Sequence, residues 1–169
     1  MRQLNFKKDW KEDKAWVDLF EPAIKKICAE VFIHAAPKRI DMEEATDLLV
    51  LEIKPITIAC RVRRYKYYPD FSDEFTMRRS RPSGKKSEIS KIIEGWGDYY
   101  FYGFSNKFED GSGFESYTIF DLRIFRRELI LHGYKKHLKF SRQNNKNGSS
   151  DFLAFKLNCF PEDFFIKEA

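Results

Sequence analysis

Apolar residues recur along the chain at two different periods, and the changes of period mark its elements. Val17, Phe20, Ile24, Ile27, Cys28 and Val31 fall at three- and four-residue steps, which predicts an amphipathic helix. Pro22 interrupts that stripe, so either the helix kinks there or a second helix starts with Pro22 in its first turn. The connector IHAAPKRIDMEEA follows, and then ATDLLVLEIKPITIACRVRRY, from Ala45 to Tyr65, reads as two strands joined by a tight turn at Lys54-Pro55. In the second of these strands Ile58, Cys60 and Val62 alternate with Ala59, Arg61 and Arg63. Period two sends the first set to a core and both arginines to the other face.

Tyr65 to Asp73 reads as an aromatic, polar loop, and EFTMRRS as a short strand. RPSGKK is a turn by composition, after which Ser87 caps a short helix, SEISKIIE, with Ile89, Ile92 and Ile93 apolar and Gly95 as its stop. GDYYFYGFSN predicts an aromatic strand. A base-stacking strand and a central strand buried on both sides are the two readings, and the second is preferred. Asp98 and Trp96 beside its entrance are candidates for the edge of a site. FEDGSG is a turn and ESYTIF a strand. Asp121 caps the helix LRIFRRELILHG, which turns Leu122, Phe125, Leu129 and Ile130 inward and stops at Gly133. SRQNNKNGSS, residues 141–150, is a flexible loop by composition. In the closing strand, Leu153, Phe155, Leu157 and Cys159 alternate with Ala154, Lys156 and Asn158. The predicted fold is a single α/β or α+β domain over residues 1–169, with a central mixed, largely antiparallel sheet flanked by helices.

Composition changes this picture little. Of 169 residues, 43% are hydrophobic and 17% aromatic, enough to build a packed core and too much for a disordered chain. No run approaches the length of a membrane span, the N-terminus lacks the apolar core of a secretory signal, and no membrane partner is expected. Cys28, Cys60 and Cys159 lie far apart in apolar settings. They read as reduced thiols of a cytoplasmic protein rather than as zinc ligands.

Charge changes it more. The net charge is +5, yet residues 61–86 alone carry nine basic residues against three acids. The basic set is Arg61, Arg63, Arg64, Lys66, Arg78, Arg79, Arg81, Lys85 and Lys86. Such a segment is either a nucleic-acid footprint, DNA first and RNA second, or a solvated basic loop. TMRRSRPSGKKSE adds serines and a glycine that suit phosphate contact, but it lacks the spacing of a nucleotide-hydrolysing P-loop. Asp47 falls across from Arg61 or Arg63 if the hairpin register is even, as charge pairing favours; a structural Asp–Arg pair explains that equally well.

A helix followed by a hairpin with an acid at the start of one strand resembles the restriction-endonuclease-like superfamily, the PD-(D/E)XK nucleases. The segments TDLLVL, IACRVRR and EFTMRRSRPSGKKSEISKIIEGWGDYYFYGF also resemble uncharacterised bacterial and phage-borne proteins associated with that fold. The resemblance covers roughly 45–106. It implies a Mg²⁺- or Mn²⁺-dependent hydrolase of phosphodiesters, with Asp47 as principal ligand and Glu21 as the auxiliary carboxylate of the first helix. Arg61 and Arg63 stand where the family carries Glu-x-Lys, and arginine neither binds Mg²⁺ nor acts as a base. The missing groups are then sought in Glu52 and Lys54, with Asp41 as the acid, or in Glu88 and Lys91, one helical turn apart. The expected DNA-binding set is Arg61, Arg63, Arg64, Arg78, Arg79, Arg81, Lys85 and Lys86. The alternative is a catalytically degenerate module of the same fold that binds nucleic acid or protein; a homodimer is compatible with either.

Overall fold

The computed structural model describes residues 6–35, 56–80, 85–144 and 151–169. Helix α1 (Phe6–Ala35) is continuous, with Pro22 inside it. Pro22 falls on the exposed side, whereas Phe20, Ile24 and Cys28 are buried, so the missing amide hydrogen bond is at the solvated surface. The sequence left a kink or a second helix open; one helix of 30 residues forms.

The strands among the described residues form two sheets. Sheet A contains β1 (Ile58–Arg63), β3 (Tyr99–Ser105), β4 (Phe114–Asp121) and β7 (Phe165–Glu168), in the order β1-β3-β4-β7. β1 runs parallel to β3, and the other pairs are antiparallel. Sheet B is antiparallel, in the order β2-β6-β5, with β2 (Glu74–Ser80), β5 (Leu138–Asn144) and β6 (Asp151–Lys156). The expected α+β class with a mixed sheet is thus what forms. The first strand of the expected hairpin, with Asp47, Glu52 and Lys54, lies outside the described residues, as does Asp41; among the described strands β1 pairs with β3 alone.

α1 covers one face of sheet A: Phe20, Ile24 and Cys28 pack with Val62, Phe101 and Ile119. The other face meets sheet B through an aromatic core of Tyr100, Tyr102, Phe104 and Phe120 against Phe75, Met77, Leu153 and Phe155. Phe75 touches the rings of Phe120 and Phe155 at centroid distances of 4.6 and 5.1 Å. β3 lies between β1 and β4 and is buried on both sides, as preferred from its sequence.

The helical segment α4 (Leu122–His137) is broken at Gly133, where φ is 67°. Leu122 and Phe125 enter the core as expected and Leu129 packs against it, but Ile130, one residue further round the helix, is 83% exposed. The expected loop after β1 instead contains a turn of 3₁₀ helix, Tyr65–Tyr67, and the short helix α2 (Tyr68–Phe71). The closing strand stops at Lys156, and Leu157–Cys159 is 3₁₀. Among the described residues, no helix is long and apolar enough to cross a membrane.

Candidate functional site

β1 turns Ile58, Cys60 and Val62 toward α1 and Arg61 and Arg63 toward the space between the sheets, as its alternation requires. Both guanidinium groups therefore leave the same side of sheet A. They enter a half-buried network rather than an open cationic hollow.

Glu88 organises the network. It is the first residue of α3 (Glu88–Ile93), just after the cap at Ser87, whose side chain accepts the Ser90 amide. Its carboxylate accepts from Arg61 Nη1 at 2.8 Å, from the backbone N–H of Arg78 at 2.8 Å and from the Tyr100 hydroxyl at 2.7 Å. One side chain thus ties β1, β2 and β3 together. Burial works most strongly against the Arg61 charge, but the Glu88 carboxylate together with Tyr100 and Tyr102 outweighs it, so the guanidinium holds its proton more tightly than usual. Burial first, and then the Glu88 charge, push the Tyr100 phenol well above its ordinary value.

Arg63 is engaged in the same way. Its Nη1 lies 3.6 Å from Glu74 and 3.3 Å from the Tyr102 hydroxyl, and its guanidinium stacks on Tyr67 and Phe71 at 4.8 and 4.9 Å. This explains why residues 65–71 coil: the turn wraps two rings around a cation. Arg64 binds Glu109 at 2.6 Å and lies 4.2 Å from the Trp16 ring, while Glu109 also accepts the Tyr65 amide. Lys86 pairs with Glu94 at 2.6 Å. Arg78 is half-buried and contributes its backbone N–H to Glu88. Arg79 and Lys85 are exposed, and neither forms an ion pair with a described residue. Arg81 lies outside the described residues. Of the expected DNA-binding set, Arg61, Arg63, Arg64 and Lys86 each lie beside a carboxylate.

Among the described residues, the expected acids Glu21 and Glu88 do not converge. Glu21 is on α1, exposed, 2.6 Å from Lys25, and borders an apolar groove with Ile58 and Cys60, on the opposite face of sheet A from Arg61. The hydrogen bond and charge of Lys25 lower its pKa. Lys91 sits 5.7 Å from the Trp96 ring, whereas Glu88, one turn earlier, is committed to Arg61 and Tyr100. Asp98 is a staple: its carboxylate accepts the Thr57 amide and hydroxyl, both at 2.8 Å, and fixes the parallel start of β1 against β3. Among the described residues, no group of three or more His, Cys, Asp or Glu is placed to hold a metal ion. Glu21 and Glu88 do not fit a shared Mg²⁺ or Mn²⁺ site, since a sheet separates them and Glu88 already accepts three donors.

Three partners in the network escaped the sequence reading: Glu74, Glu109 and the hydroxyls of the Tyr100–Tyr102 pair. The tyrosine pair had a visible signal, since period two puts both rings on one face of β3. Comparison with protein-family models, curated proteins and solved structures finds no match.

Proposed function

We propose that the protein is a nucleic-acid-binding module of restriction-endonuclease-like architecture, working in the cytoplasm, whose described face binds without cutting. The observation behind this reading is the division among the cations. Arg61, Arg63 and Arg64 are 2.8, 3.6 and 2.6 Å from carboxylates, while Arg79 and Lys85 stay exposed where β2 ends and α3 begins. Neutralised guanidinium groups inside a fold serve its stability; exposed cations remain available to phosphate.

The test is DNA binding measured as a function of salt. Wild-type affinity is expected to fall steeply with salt. Arg79→Ala and Lys85→Ala should each reduce the log–log slope by roughly one. A flat salt response in the wild type would remove nucleic acid as the partner. The nuclease reading keeps one observation of its own, a carboxylate beside a cation on the inner face of β1, at Glu88 and Arg61. Incubation of the protein with plasmid DNA and Mg²⁺ or Mn²⁺ separates the two readings: cleavage that disappears in Asp47→Ala would replace the binding module by the enzyme.

A further inference from the structure

α3 ends in a turn of unusual backbone geometry, with Gly95 at φ 96° and Gly97 at φ 79° on either side of Trp96. An L side chain rarely adopts either conformation, so the glycines make this turn available at low cost. The turn is tied down on every side. The Gly95 amide donates to Ile92 O at 3.0 Å, the Trp96 amide to Lys91 O at 3.0 Å, and Arg126 Nη1 to Gly97 O at 3.2 Å. The chain then enters β3 through Asp98, whose amide donates to Thr57 O at 2.9 Å. The result is a fixed backbone that carries an indole 61% exposed to solvent. Lys91 holds its ammonium 5.7 Å from that ring.

We propose that Trp96 is a stacking platform for an unpaired base, and that the nucleic acid bound at this corner is single-stranded. The proposal rests on the nucleic-acid reading above and adds the substrate class. An exposed aromatic face beside a cation is how proteins hold single strands without reading sequence: the ring takes the base, the cation the phosphate. Paired bases inside a duplex have both faces covered by their neighbours, so this ring has nothing to stack on there. α3 is six residues long, which at helical rise separates its two ends by about 9 Å. Lys85 precedes that helix and Trp96 follows it, so a cation and the stacking ring flank the two ends of one short helix. Trp16 offers no such platform: it is half-buried and donates from Nε1 to Val62 O at 3.0 Å.

The experiment is fluorescence anisotropy of a labelled oligothymidylate and of a duplex of equal length, with wild-type protein and the Trp96→Ala, Trp96→Phe and Lys85→Ala variants. Trp96→Ala is expected to weaken single-strand binding by about 5- to 150-fold with an unchanged salt slope, and Trp96→Phe to retain most of the affinity. Lys85→Ala should instead lower the slope, and duplex binding should be indifferent to Trp96. Wild-type binding that Trp96→Ala leaves intact overturns the platform while the nucleic-acid reading stands. Equal losses on single strand and duplex also overturn it. Absence of binding by the wild type to either probe rejects both. Self-association lost in Trp96→Ala, with oligonucleotide affinity unchanged, would assign the ring to a protein contact and overturn the proposal.

Discussion

The two faces of sheet A are both covered, yet they are built from different chemistry. Toward α1 the sheet presents Ile58, Cys60, Val62, Phe101 and Ile119, and the helix answers with Phe20, Ile24 and Cys28. Toward sheet B it presents aromatic rings together with Arg61 and Arg63, and the answer is both apolar, in Phe75 and Phe155, and ionic, in Glu74 and Glu88. An apolar face needs only a partner of suitable shape. A face bearing guanidinium groups needs acceptors placed at bonding distance, because leaving such a charge half-buried and unanswered costs several kcal/mol. The charged residues on β1 are thus accounted for by the architecture of the second face, without reference to a ligand.

Removing the centre of the aromatic layer should break that contrast most severely. Phe75 is fully buried and stacks on Phe155 at 5.1 Å, with Phe120 at 4.6 Å. Phe75→Ala is expected to cost about 3–5 kcal/mol in denaturant unfolding. A loss under about 1 kcal/mol would mean that sheet B is not seated on sheet A as described.

The ionic part of the same face comes next. Glu88→Ala leaves Arg61, the Arg78 amide and the Tyr100 hydroxyl without that carboxylate. The cost should be about 1–3 kcal/mol, held down because the Arg61 and Glu88 side chains retain 28% and 23% exposure. In a double-mutant cycle with Arg61→Met the two losses should sum to more than the double variant shows. Strict additivity would show that the pair contributes no coupling.

Much of this was legible in the chain. The period-two alternation in IACRVR assigned the faces of β1 correctly, and Ser87, Gly95, Asp121 and Gly133 marked helix ends where they occur. Alternation says which residues share a face, however, and not what covers it. Arg61 meets Glu88 across 27 residues and Arg64 meets Glu109 across 45, so counting charges in one segment missed carboxylates that answer its cations from outside it. Tyr67 and Phe71 looked like loop residues because their reason to coil is Arg63, a neighbour only in space. Ile130 continued an apolar stripe onto a position that stays exposed.

The mildest perturbation leaves the protein untouched at neutral pH and separates the two faces in alkali. Burial pushes the Cys60 thiol, on the α1 side, from an ordinary value of 9.0 up to about 12. On the other side, burial and Glu88 push Tyr100 well above 10.0. In each case the folded state holds a proton that the unfolded chain gives up sooner. Stability from both groups is therefore complete below pH 9 and is lost as pH rises, with Cys60 acting between about 9 and 12 and Tyr100 only from about 10 upward. Denaturation midpoints measured across that range should fall for the wild type. Cys60→Ala should flatten the decline from pH 9 onward, and Tyr100→Phe only the part above 10. A Tyr100→Phe profile that parallels the wild type at high pH would place that phenol in water, and with it the Glu88 carboxylate that it donates to.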